Sequence, residues 1–534
     1  LSETRSFVHG AILLAGAAAV SKLLGSVYTI VLQNIIGDHG MGLFQMAYPI
    51  YATLLAIATA GFPVAISKLV SERLALGDAD GARTVFRVAS GMLNAAGVAC
   101  FLILFLGAGW LADRVGDADA VWAIRAIAPA LLFVPMLSAW RGYFQGFQWM
   151  EPTASSQVLE QLVRVITIIL LSVWLTAAGY GQALAAAGAA FGAVTGAVAA
   201  FLLLLYTWWR RHPDVPALRD APRASAIGLS KRILYYAFPI SLGAMVVPLM
   251  NNIDVVTVVN LLKEAGVSQA EATTQFGLLT GRAFKLMMLP TTLASGIGIA
   301  VMPAVSEAFT LGFRRLVWDR MDMAIRLTTL LALPAAVGLT LLAVPVDITL
   351  FKDATGSPVI EVMAAATVFA SLQTTVAAVL QGCGWVYVPV FNLLGAAVVK
   401  LAANLLLVPL YGIRGAALAT VISYLTAAIL NFWALRACLR EGVDWRRWFL
   451  RPAVAVFIMG AVVYAAVQQW LAWDGLAWGR VQTAAALAVM MLLGGLVYGL
   501  ALLLTGSLEE QELVAIPKVG PILVDWCQRL GMMR

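Results

Sequence analysis

Apolar runs of about 20 residues, the length that carries a helix across the hydrocarbon core of a membrane, recur along the whole chain. They centre near residues 20, 55, 97, 132, 165, 195, 247, 292, 332, 370, 398, 425, 460 and 492, and they predict an all-α fold of fourteen membrane-spanning helices. The first run extends from about Phe7 to Ile36 without a small-residue cleavage site, which predicts a membrane helix and not a cleaved leader. The chain starts at Leu1 instead of Met, which leaves its true start open.

The longest polar interruption, Arg210 to Lys231, carries Pro213, Pro216 and Pro222 and reads as a linker. Segments echo across it. GFPVAISKLVSE from Gly61 and GIAVMPAVSE from Gly298 both place a proline ahead of a serine and a glutamate, with the prolines 240 residues apart; Pro152 and Pro389 open runs 237 residues apart. Two six-helix halves of like orientation are expected, a parallel repeat with two helices appended. The scheme is an N-lobe over 1–209, a cytoplasmic linker over 210–231, a C-lobe over 232–438, appended helices over 439–505 and a tail over 506–534. The tail opens with a Ser507-to-Glu510 capping box and is expected to lie at the interface. Transporters built from such repeats bind substrate between their halves near mid-membrane. Gly188, Gly192 and Gly196 form a small-residue ridge on the sixth helix, suited to close helix packing.

Composition narrows the function. With 61% hydrophobic and 12% charged residues, and a mean hydropathy of +0.89, the chain is no ordinary soluble enzyme. Its three histidines and four cysteines are scattered without metal-ligand spacing, and it has neither a Walker A loop nor a Rossmann fingerprint. No cofactor and no metal are expected, and any work must come from gradients. The formal charge of +7 is accounted for by topology and not by nucleic acid. With the N-terminus inside, 23 of the 35 Lys and Arg fall in cytoplasmic segments and 6 in outer loops. An N-in, C-in protein of the cytoplasmic membrane follows, in contact with membrane lipids and acting as a monomer.

The remaining cations lie inside spans: Lys22, Arg141, Arg164, Arg282, Lys285 and Lys400, against the acids Glu160 and Asp254. Each costs at least ~2.5 kcal/mol at a helix centre and needs a reason to be there. Glu160 and Arg164, four residues apart with the acid first, form a candidate structural ion pair. Arg141 either snorkels to the cytoplasmic interface or binds substrate, and Arg282 lies near the outer end of its helix. Lys22 and Lys285 are deep, have no acid one turn away and belong to opposite halves. They are candidate substrate contacts, the alternative being ties to backbone carbonyls or lipid phosphate. Lys400, with Asn404 one turn on, is either a further contact or a helix-to-helix tie. Asp254, with Asn251 and Asn252, is a candidate site for a coupling cation or proton, or else a partner of Lys285 or Arg282. A surplus of positive charge in low dielectric selects anions, phosphate among them, whereas a cation or drug antiporter calls for acids.

The stretches SKLLGSVYTIVLQNIIGDHGMGLFQMAYPIYATLLAIATAGFPVAISKLVSE, RGYFQGFQWMEPTASSQVLEQLVRV, NNIDVV and LMMLPTTLASGIGIAVMPAVSEAF carry a resemblance. They resemble the stage V sporulation protein B and polysaccharide-biosynthesis branch of the multidrug/oligosaccharidyl-lipid/polysaccharide exporter superfamily, which includes lipid II flippases. The resemblance implies a V-shaped bundle of two lobes alternating between inward-open and outward-open states. It also implies a cationic cavity for the pyrophosphate and sugar head group of a lipid-linked glycan, with the lipid tail in a groove beside the last two helices. Motif to motif, Lys22 and Lys285 fall where cavity arginines occur in lipid II flippases. Tyr28 and Thr53 stand where two further arginines align, and Gly40 where an Asp does, so the implied phosphate site is less basic here.

Overall fold

The computed structural model describes residues 2–210, 225–439 and 446–506, with the side chains of 2–15, 18–20, 22–23 and 26–27 outside that description. The chain is an all-α polytopic membrane protein. Among the described residues, thirteen helical stretches are long and apolar enough to span a membrane, and they coincide with the second to fourteenth expected runs. The run centred near residue 20 lies on α1, largely on residues whose side chains are not described. Most of the linker and the tail from Ser507, with its capping box, also fall outside the described residues.

By packing, the chain divides into two compact units, Leu1–Gly277 and Leu278–Arg534. The first holds α1 (Ser2–Thr59), α2 (Phe62–Ala75), α3 (Ala79–Leu106), α4 (Ala108–Val115), α5 (Ala120–Ile127), α6 (Ala130–Gly146), α7 (Met150–Ala177), α8 (Gly181–Arg210), α9 (Ala226–Glu264) and α10 (Gln269–Gly277). The second opens on a π-turn, Leu278–Ala283, followed by α11 (Phe284–Thr310), α12 (Arg314–Leu341), α13 (Ala343–Phe351), α14 (Ser357–Ala364), α15 (Ala366–Gly382), α16 (Val388–Tyr411) and α17 (Ile413–Leu439). A second π-turn, Arg446–Leu450, then leads into α18 (Arg451–Ala472) and α19 (Arg480–Leu504).

The packing boundary lies beyond the expected linker. Helix α9, placed in the C-lobe by the sequence scheme, is bonded to the first helices: Gly61 N donates to Ser241 Oγ at 3.1 Å, and Arg232 Nη2 pairs with Glu72 Oε2 at 3.0 Å. The order of α3 to α8 recurs in α12 to α17, with three pairs of equal length. Helices α3 and α12 have 28 residues each, α5 and α14 have 8, and α6 and α15 have 17, the last pair offset by 236 residues at both ends.

Local chemistry sets the element ends. Asp78 caps α3 by accepting from Gly81 N at 2.7 Å, satisfying one of the open amides of the first turn. Helix α1 is two helices joined at Gly37, whose φ of 72° lies in the left-handed region that glycine tolerates. The glycine ridge of α8 seats on α7: a Cβ at Gly192 would meet Arg164 O at 2.9 Å, and one at Gly196 would meet Glu160 O at 2.5 Å. Only glycine permits that approach, and the ridge thereby fixes the backbone that carries the central charges of unit 1.

Candidate functional site

In unit 1 the charged residues converge from α6 and α7. Arg141 Nη2 binds Glu160 Oε2 at 2.8 Å and Arg141 Nε donates to Ser156 Oγ at 3.0 Å, while Arg164 Nη2 binds Glu160 Oε1 at 2.6 Å. One carboxylate thus holds two guanidiniums, and Arg141, expected to touch substrate, is tied to Glu160. The three side chains are 13–17% exposed. Tyr28, Tyr48 and Tyr51 of α1 lie within electrostatic reach of Arg164. Arg164 Nε, the Tyr51 hydroxyl and Gln157 Oε1 are buried without a hydrogen-bond partner among the described residues. Leu162 and Ile166 of α7 are exposed and point away from Glu160 and Arg164 around the helix.

The NNID stretch lies on α9. Asn252 Nδ2 donates to Thr53 Oγ1 at 2.6 Å and to Pro49 O at 3.2 Å, linking α9 to the proline-containing part of α1, and its Oδ1 is buried without a partner among the described residues. Asn251 is half-buried beside it in the chain, and Asp254 is 6% exposed. Lys22 is on α1, one turn before Gly25; its side chain lies outside the described residues.

In unit 2 the sequence-selected cations part company. Arg282, expected among the substrate contacts, is 2% exposed. Its Nη1 binds Asp347 Oδ1 at 2.9 Å and Asp353 Oδ1 at 2.8 Å, and its Nη2 binds Asp353 Oδ2 at 3.0 Å. Phe351 stacks beneath it, 4.9 Å from the guanidinium carbon. Arg282 is therefore a sealed joint between the π-turn and α13, and its carboxylate partners are Asp347 and Asp353. The sequence reading missed both aspartates because it counted acids only within spans; the signal was an acid inside AVPVDITLF. Burial pushes the Asp347 carboxyl up. Burial would raise Asp353 as well, but the bonds from Arg282 and Thr355 outweigh it and hold that carboxyl below the usual range. Lys400 is sealed too, 1% exposed on α16, one turn from Asn404. Lys285 is half-buried on α11 and makes no hydrogen bond or ion pair with any described residue.

The residue after Lys285 opens an apolar groove of about 490 Å³. Leu286 and Leu289 of α11 form one wall, Gly338 of α12 and Val346 of α13 another, and Met490 and Gly495 of α19 a third. Tyr498 is the one lining residue with a polar side-chain group, and its hydroxyl donates to Leu330 O at 2.8 Å. The appended helices are held here by a core that includes Leu342, Met459, Val463 and Leu487, and by Arg480, whose Nε caps α13 at Thr349 O, 2.7 Å away. At the other end of α18, Trp448 Nε1 donates to Asp322 Oδ1 of α12 at 2.6 Å.

Comparison with known proteins places this arrangement. The family described as "Polysaccharide biosynthesis protein" matches residues 7–309. The membrane protein YabM of Bacillus subtilis (strain 168) is 31% identical over 95% of this chain and 94% of its own. The lipid II flippase MurJ of the same organism is 30% identical over 92% of this chain and 94% of its own. In fold, the chain is similar to a solved lipid II flippase MurJ in an inward closed conformation, with a TM-score of 0.67 and 14% identity over 92% of this chain and 98% of the other. An inward-facing multidrug resistance MATE family transporter of the MOP superfamily is similar at a TM-score of 0.65 and 18% identity, over 79% of this chain and 94% of the other.

Proposed function

Since the chain belongs to the polysaccharide biosynthesis protein family and has the alternating-access transporter fold of the MOP superfamily, we propose that it flips a polyprenyl-pyrophosphate-linked cell-wall precursor of the lipid II type. The cargo moves from the inner to the outer leaflet of the bacterial cytoplasmic membrane, with both termini of the protein inside. The observation that carries this reading is the apolar groove beginning next to Lys285. A long prenyl tail needs a continuous apolar surface; a pyrophosphate needs a cation not already spent on a carboxylate. Unit 2 supplies both on one helix, α11, since Lys285 precedes the groove-lining Leu286.

Potential supplies the drive. A pyrophosphate brings about two negative charges, and moving them outward across an inside-negative membrane releases ~4.6 kcal/mol per 100 mV. To the extent that Lys285 neutralises them in transit, the same energy appears when the empty carrier resets. Asp254 with Asn251 and Asn252 is the place for a coupling cation, should one be used.

The fold likeness to a MATE transporter favours a second reading, a cation or drug antiporter. One experiment separates them. The protein is reconstituted in vesicles, and flipping of lipid II, of an undecaprenyl-linked oligosaccharide and uptake of an organic cation are compared with and without an imposed voltage. Voltage-responsive flipping, lowered about tenfold by Lys285→Gln, is expected. Flipping of the oligosaccharide alone reassigns the glycan, and uptake of the organic cation alone overturns the flippase reading.

A further inference from the structure

We propose that the Arg141–Glu160–Arg164 cluster of unit 1 is an oxyanion-binding subsite for one phosphate or carboxylate of the transported head group, a step that rests on the flippase reading above. Among the described residues Glu160 is the carboxylate bonded to the two guanidiniums, which leaves a surplus of one positive charge inside the bundle. An uncompensated buried charge is costly, and at Asp322, which also faces two arginines, the second one, Arg447, is 39% exposed and can be balanced by solvent, whereas Arg141 and Arg164 are 14% and 17% exposed. The missing negative charge has a place prepared for it: the Arg164 Nε–H is an unused donor, and the hydroxyl of Tyr51, 2% exposed and within electrostatic reach of that guanidinium, is unpartnered as well.

The internal repeat supplies a separate argument. Offset by 236 residues, Arg141 of α6 corresponds to Ala377 of α15. Glu160 of α7 corresponds to Ala396 or Ala397 of α16, for an offset of 236 or 237, and both are alanines. At the same offsets Arg164 corresponds to Lys400 or Leu401, so the second repeat keeps at most one of the two cations and builds the same helices without the acid that pairs them. Glu160 uses one oxygen on each arginine, which aligns two guanidiniums whose planar forks suit phosphate and carboxylate alike. The ridge of α8 keeps them in place by seating on Glu160 O and Arg164 O.

The test uses the purified full-length protein and two probes, geranyl pyrophosphate and glucuronic acid, whose binding is measured by calorimetry for wild type, Arg164→Gln and Glu160→Gln. Arg164→Gln is expected to lower affinity for one probe about tenfold. Glu160→Gln, which raises the surplus from one charge to two, is expected to raise affinity for that same probe. A response with geranyl pyrophosphate assigns the linker phosphate; a response with glucuronic acid assigns a head-group carboxylate. No binding by wild type, equal affinities in all three proteins, or losses in both variants overturn the subsite, since a structural triad responds to either substitution in the same direction. Vesicle flipping tells the two readings apart. A wild type that shows the opposed binding responses but flips no lipid-linked glycan overturns the transport reading alone, and one that flips equally well with Arg164→Gln overturns the subsite alone.

Discussion

Two arginine clusters of this protein have inverse stoichiometry. In unit 1, one carboxylate serves two guanidiniums, and all three side chains keep 13–17% exposure. In unit 2, two carboxylates enclose one guanidinium, with Arg282 at 3% side-chain exposure and Asp347 at 0%. Depth in a span is therefore a poor guide to what a cation does. The ratio of partners adds to it: Arg282, with acids to spare, is a fastening, whereas at Glu160 the cations outnumber the acid.

The sharpest way to break this contrast is to open the fastening. Asp347→Asn leaves Arg282 its two bonds to Asp353 but takes a fully buried acceptor from Arg282 and Ser357, and is expected to cost about 1–3 kcal/mol, read as a lowered thermal unfolding midpoint in detergent. Asp353→Asn, at a side chain 44% exposed, should fall below about 1 kcal/mol. Next, Gly196→Ala drives a Cβ to 2.5 Å from Glu160 O and must displace α7. A loss of about 1–3 kcal/mol is expected, with flipping reduced alongside stability. Gly495→Trp acts on the groove instead. Nothing lies within 4 Å of the missing Cβ of Gly495, which lines the groove, so an indole there is expected to occupy it, and flipping of a polyprenyl substrate should fall about tenfold while the unfolding midpoint holds. The smallest effect is an acid dependence of the fastening. Because the folded Asp353 carboxyl is held below its ordinary value, its contribution is fully present above about pH 4 and is lost as pH falls through the lowered value. Unfolding midpoints of wild type and Asp353→Asn should therefore converge on acidification, and a gap that widens would contradict the assignment.

What was legible in the sequence was what sequence spacing encodes. Glu160 and Arg164 are four residues apart on one helix, and the structure joins them. The ridge at Gly188, Gly192 and Gly196 repeats every four residues, and it lies against α7. Arg141 is different: it reaches Glu160 from another helix, 19 residues away, and no local period announces that meeting. Asp347 escaped because a lone acid in a short apolar helix resembles a loop charge until its partner, 65 residues earlier, is placed beside it. Lys400 was open between a contact and a tie, and Arg282 was placed near its helix end, since sequence gives the depth of a side chain but not what surrounds it. The groove was implied by family resemblance alone. Its walls come from helices more than a hundred residues apart, and only packing reveals that they leave a space.

The glycine at position 37 deserves its due as a mechanical part. Two helices meet at one residue whose φ of 72° suits glycine, so a side chain at that corner would strain the bend and re-aim the part of the helix that carries Pro49 and Thr53 toward Asn252.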